Sequence, residues 1–70
     1  MLKLFDTVAL LSPHPELGLV RGQVGAVVDV YRDGEAFEVE FANDKGETYA
    51  LASFKASELL PLVHEGHAAA

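Results

Sequence analysis

The sequence predicts an all-β domain, a small and partly open five-stranded antiparallel barrel with a single 3₁₀ turn before the last strand. Three observations carry this. Residues 21–51 hold three runs rich in valine, phenylalanine and tyrosine, separated by the segments Arg32-Asp33-Gly34-Glu35 and Asn43-Asp44-Lys45-Gly46. Asp-Gly between alternating runs is a strong hairpin signal. The middle run alternates strictly, with Phe37, Val39 and Phe41 against Glu38 and Glu40, the two-residue period of a strand with one buried face. Prolines at 13, 15 and 61 cut the flanking pieces short, which disfavours helices there.

Residues 4–11 carry β-branched and aromatic side chains and stop at Ser12-Pro13-His14-Pro15, which predicts the first strand. Residues 12–22 form a long loop whose apolar members predict that it packs down onto the barrel. The second strand covers residues 24–31. Gly22 and Gly25 bracket its start, where glycines mark a bulge or a tight bend. The side carrying Val28 and Val30, with Val24 and Ala26, is the expected core face; Val27, Asp29 and Tyr31 take the other. A bulge near Gly25 would invert the register before it. The third strand is residues 36–42, and Gly46 suits a positive φ in the turn that follows.

The fourth strand, residues 47–52, is expected to turn Tyr49 and Leu51 inward and Thr48, Ala50 and Ala52 outward. Ser57 followed by Glu58 opens a single 3₁₀ turn. Residues 59–63 make a short last strand that Pro61 confines to an edge. The expected interior is Val8, Leu10, Val28, Val30, Phe37, Val39, Phe41, Tyr49, Leu51 and Leu59. These pieces predict an SH3-like barrel over residues 1–63 and a flexible C-terminal tail over 64–70.

The 70 residues allow one domain. The chain has no cysteine, so neither a disulfide nor a thiolate enters its chemistry, which fits a cytoplasmic location. Half of its residues are hydrophobic, generous for a chain of this size. Such a surplus predicts a covered surface, either on a partner or on a second copy. The net charge of −6, eleven acidic against five basic residues, disfavours nucleic acid, whose binding relies on Lys and Arg neutralising phosphates. It equally disfavours anionic membranes.

The residue patterns point away from catalysis. Ser12, Ser53 and Ser57 have no histidine in a nucleophile arrangement. Gly22-Gln23-Val24-Gly25 lacks the Gly-Lys-Ser/Thr of a phosphate loop. His64, Glu65 and His67 are too few for a zinc site, with the second histidine one residue too early for the His-Glu-x-x-His pattern, and His14, between two prolines, reads as an exposed loop residue. No cofactor, metal site or catalytic residue is expected. Asp6 reads as a structural hydrogen-bonding residue. Arg21 has Asp6 and Glu16 as its candidate partners.

Two surfaces remain. Tyr31, Phe54, Leu17, Leu19 and Val27 are the apolar residues expected to meet a partner, with the aromatics as anchors. Asp29, Glu38, Glu40 and Glu47 could line one acidic sheet face. That face would dock a basic partner or a divalent cation, or simply be solvated.

The segments Leu4-Phe5-Asp6-Thr7-Val8-Ala9-Leu10, Gly18-Leu19-Val20-Arg21-Gly22-Gln23-Val24-Gly25-Ala26-Val27-Val28, Phe37-Glu38-Val39-Glu40-Phe41 and Glu58-Leu59-Leu60-Pro61-Leu62 resemble those of a family of small bacterial proteins known only as a domain of unknown function. The Arg-Gly-x-x-Gly-x-Val segment is also similar to the barrel of the nitrile hydratase β subunit and its accessory proteins. The residues predict a non-enzymatic protein-interaction module that docks on a protein partner or on itself. The second resemblance implies an alternative, an accessory factor or subunit-like partner of a metalloenzyme of the nitrile hydratase type. Fold analogy alone does not transfer function.

Overall fold

The computed structural model describes residues 2–62. It contains five strands and two 3₁₀ turns: β1 (Thr7–Leu10), η1 (Pro15–Leu17), β2 (Val24–Tyr31), β3 (Ala36–Ala42), β4 (Thr48–Lys55), η2 (Ala56–Glu58) and β5 (Leu59–Pro61). All strand pairs are antiparallel, in one sheet of order β4-β3-β2-β1-β5. The all-β class, the five strands and the 3₁₀ turn before the last strand are as the sequence predicts. The tail and Val63 lie outside the described residues.

The sheet cannot be flat. β4 and β5 are its opposite edges, which in a flat sheet would lie about 19 Å apart at ~4.8 Å per strand. Only η2 joins them, and the four steps from Lys55 to Leu59 reach at most about 14 Å. The sheet therefore curls until its edges approach, and the concave side becomes the core. No ladder pairs β4 with β5 among the described residues, so the barrel stays open along that seam.

β1 begins later than the sequence suggests. Residues 3–6 form a turn closed by the Asp6 N–H donating to the Lys3 carbonyl (3.1 Å). Phe5 holds φ +71, the left-handed value that the third position of a type II turn requires and that usually falls to glycine. Asp6 stabilises the turn with both carboxylate oxygens. Oδ2 accepts the Lys3 N–H (3.0 Å) and Oδ1 accepts Lys3 Nζ (3.2 Å). Its structural role is thus local, and its cationic partner is Lys3 rather than Arg21.

The long first loop is organised. Pro15 opens η1, where a missing N–H costs nothing, and Gly18 closes it at φ +73. His14 and Leu19 exchange backbone hydrogen bonds (2.9 and 3.1 Å), which drops Leu19 into the core.

Two bulges decide which side chains face inward. β2 pairs with β3 through Val27 opposite Val39, and then resumes with Asp29 opposite Glu38. Val28 is the extra residue. Val27 is therefore completely buried and Val28 only half-buried, a correction to the expectation that Val28 faces the core. Val30, beyond the bulge, does pack against the core. On β4 the assignment is reversed from the bulge onward, while Thr48 faces outward as expected, bonded to Glu40. Ala50, Ala52 and Phe54 face inward, while Tyr49 and Leu51 are 48% and 55% exposed. The strand runs on to Lys55, and Phe54 fixes its parity. The small alanines sit opposite Phe41 and Val39, where a second large side chain would not fit the concave wall.

The core is Leu2, Val8, Leu10, Leu19, Val27, Phe37, Val39, Phe41, Phe54 and Leu59, and among the described residues no polar residue is buried. Val8, Leu10, Phe37, Val39, Phe41 and Leu59 are where the sequence places them. Phe41 and Phe54 meet edge to face, with centroids 6.0 Å apart. η2 is capped by its own Glu58, whose carboxylate accepts the Lys55 N–H (2.7 Å), rather than by Ser57.

Gly25 is buried on β2 beneath the Phe41 ring. A Cβ there would stand 2.8 Å from Cδ1 and Cε1 of Phe41 and from the Glu40 carbonyl. Gly25→Ala is expected to destabilise the fold by about 1–3 kcal/mol through overpacking, read by urea unfolding. A neutral result would show that the ring has room to move.

The Asp6 carboxyl is held below its ordinary value, first by the Lys3 N–H hydrogen bond. A lowered folded-state value adds stability above the unfolded value near 3.9, and that stability is lost as pH falls through the folded value. Asp6→Asn is expected to flatten the acid limb of the stability–pH curve; an unchanged limb would deny the Asp6 contribution.

Candidate functional site

The residues expected to form an apolar docking surface separate once folded. Val27, Leu19 and Phe54 are 0%, 3% and 3% exposed, so they hold the core together and offer a partner nothing. Val27 turns inward because of the β2 bulge, Leu19 because of its bridge to His14, and Phe54 because it lies two residues beyond Ala52 on a longer β4. Leu17, in η1, and Tyr31, at the end of β2, remain exposed.

The convex outer face of the sheet takes their place. Directly opposed residues share a face, so the register assembles it in rows. Leu60, Ala9 and Val24 form one row across β5, β1 and β2. Thr7, Ala26, Glu40 and Leu51 form the next, across β1 to β4. Asp29, Glu38 and Ser53 form a third, and Tyr31, Ala36 and Lys55 a fourth. Val24, Leu51 and Leu60 are each about half exposed. Tyr49, the extra residue of the β4 bulge, is similarly exposed and bonds through its hydroxyl to the Gln23 amide. The sequence signal for these residues was the parity of Phe54, which places Leu51 on the side opposite the core.

Three of the four expected acidic residues lie on this outer face. Glu47 does not; it closes the second hairpin turn, where it accepts Asn43 Nδ2 (2.9 Å). Glu38 Oε1 accepts both the Tyr31 hydroxyl (3.1 Å) and the Ser53 hydroxyl (2.7 Å). Glu40 accepts the Thr48 hydroxyl. Asp29 accepts the N–H of Val30 (2.8 Å). The bond to Glu38 raises the Tyr31 phenol above its usual value, with burial and the charges of Glu38 and Asp29 adding to it.

His14 is not the exposed residue that its neighbouring prolines suggest. Its ring is edge-on to Phe54 at 4.9 Å. Nδ1 stands 3.5 Å from Glu16 and Nε2 3.8 Å from Glu58, on opposite sides of the ring. Among the described residues no group of three or more His, Cys, Asp or Glu could hold a metal ion, and His64, Glu65 and His67 fall outside them. A concavity beside the second hairpin turn is lined by Ala42, Asn43, Asp44, Lys45, Glu47 and Tyr49, and it gathers no nucleophile and base. Among the described residues no helix is long and apolar enough to cross a membrane.

Glu38→Gln is expected to lower the Tyr31 titration toward the ordinary tyrosine value, followed by phenolate absorbance with Tyr49→Phe as background. The Tyr31–Glu38 bond contributes stability below the unfolded tyrosine value near 10, lost as pH rises through the raised folded value. An unmoved titration would mean that the bond does not form.

The family model described as Domain of unknown function (DUF4926) matches residues 4–61, most of the chain, and the chain belongs to that family. No curated protein and no solved structure matches it.

Proposed function

We propose that this DUF4926 chain is a non-enzymatic docking module that binds another protein through the outer face of its sheet. The observation that carries the reading is the exposure of Val24, Leu51 and Leu60, each about half open to water on one convex face, while the core is complete without them. Covering a half-exposed valine or leucine stabilises a complex by about 1 kcal/mol, and an aromatic such as Tyr31 anchors such a face. The sheet order, the long β1–β2 loop and the 3₁₀ turn before β5 support the SH3-like form of the barrel, a scaffold whose surfaces are widely used for docking. The Arg21-Gly22-Gln23-Val24-Gly25-Ala26-Val27 segment supports the narrower alternative, in which the partner is a metalloenzyme of the nitrile hydratase type.

The test is affinity capture with the full chain, its Val24→Ser/Leu51→Ser variant and a control, Val20→Ser, altered in the exposed loop. Circular dichroism should show all three folded. One protein retained in stoichiometric amount by the parent and the control, and lost by the double variant, is the expected result. Capture that ignores the double variant would overturn the reading.

A further inference from the structure

Resting on that docking reading, we propose that the occupant of the face is an extended segment of another protein that carries basic side chains two residues apart. Asp29, Glu38 and Glu40 place three carboxylates on the outer face. Asp29 is the direct cross-strand partner of Glu38, and like charges in that relation repel. The Tyr31, Ser53 and Thr48 hydroxyls give Glu38 and Glu40 hydrogen bonds. They fix the orientation of the carboxylates without neutralising them. Among the described residues the contacts between basic and acidic side chains are Lys3 with Asp6 and His14 with Glu16 and Glu58; none reaches this face. Held negative charge therefore lies beside Leu51, the cross-strand partner of Glu40.

Charge selects the occupant. A second copy would bring the same carboxylates and a net charge of −6, so stacking face on face would be repelled. A basic segment is attracted, and the aliphatic stems of its lysines can cover Leu51 and the Tyr31 ring. Spacing selects its form. Glu38 and Glu40 are alternate residues of one strand, about 7 Å apart. Alternate side chains of any extended chain repeat at that distance, so a segment lying along β3 places successive basic groups over both carboxylates. Two carboxylates supply too few oxygens for a hard divalent cation, which takes six to eight, and no third ligand joins them among the described residues.

The test is a chemical-shift titration of the full chain at ~0.15 M salt. The probe is a short, end-blocked peptide alternating lysine with threonine. The control peptide has the same composition, with its lysines in one block. The alternating peptide should shift outer-face amides of β2, β3 and β4 and bind about tenfold more tightly than the blocked one. Glu38→Gln/Glu40→Gln should remove that preference; Glu40→Gln alone should halve it on a logarithmic scale and serves if the double variant is unfolded. Equal binding of the two peptides, shifts confined to other surfaces, or self-association dissolved by Leu51→Ser would overturn the proposal. Capture sensitive to Val24 and Leu51 alongside any of the first two results would leave the docking reading standing and remove only its basic occupant.

Discussion

The short link from β4 to β5 is the constraint on which the rest of the structure depends. Because η2 joins the two edges of the sheet, the sheet must curl until those edges approach, and curling makes its two faces unequal. The concave side shrinks and must be filled by a few side chains of matched size. Phe37, Phe41 and Phe54 supply bulk, Val8, Val27 and Val39 fill between them, and alanines stand where the wall is tightest. The convex side expands. No element in the described chain is left to cover it, so its apolar residues stay in contact with water. The first loop, pinned by the His14–Leu19 bridge, supplies Leu19 to the core. Surface and interior thus follow from one connection.

The number of strands and the antiparallel meander of β2, β3 and β4 were legible in the sequence, because turn chemistry and alternation are local signals; the place of β1 between β2 and β5 was not. β3 was legible residue by residue, since Phe37, Val39 and Phe41 alternate without interruption. The parity of β2 and β4 was not. The extra residue at Val28 belongs to a bulge defined by two strands together, and one strand read alone carries no mark of it. On β4, size misled: Tyr49 and Leu51 are larger than Ala50 and Ala52, and hydrophobicity alone sends the larger pair inward. Phe54 would have reversed that choice had the strand been carried three residues further. The turn at residues 3–6 escaped because Phe5 occupies a position where glycine usually announces the bend.

These same misreadings shaped the candidate site. Val27 and Phe54, expected on the surface, lie in the core, and Val24 and Leu51, expected inside, lie on the surface. The acidic residues were more legible, because Glu38 and Glu40 lie on the strand with clean alternation. What the sequence could not show was the hydroxyl beside each of them. Tyr31 comes from β2, while Ser53 and Thr48 come from β4, and only the three-strand register brings them to β3. The outcome is a rigid arrangement of acceptors in which little side-chain freedom remains to be lost on association.

The Phe41 ring lying on the bare backbone of Gly25 has a consequence for divergence within the family. The two positions form one space-filling unit spanning β2 and β3. A side chain can appear at 25 only after the aromatic at 41 has given way to something smaller, and a shrunken residue at 41 leaves a hole that a methyl at 25 would partly refill. Relatives should therefore change these two columns in concert, or not at all.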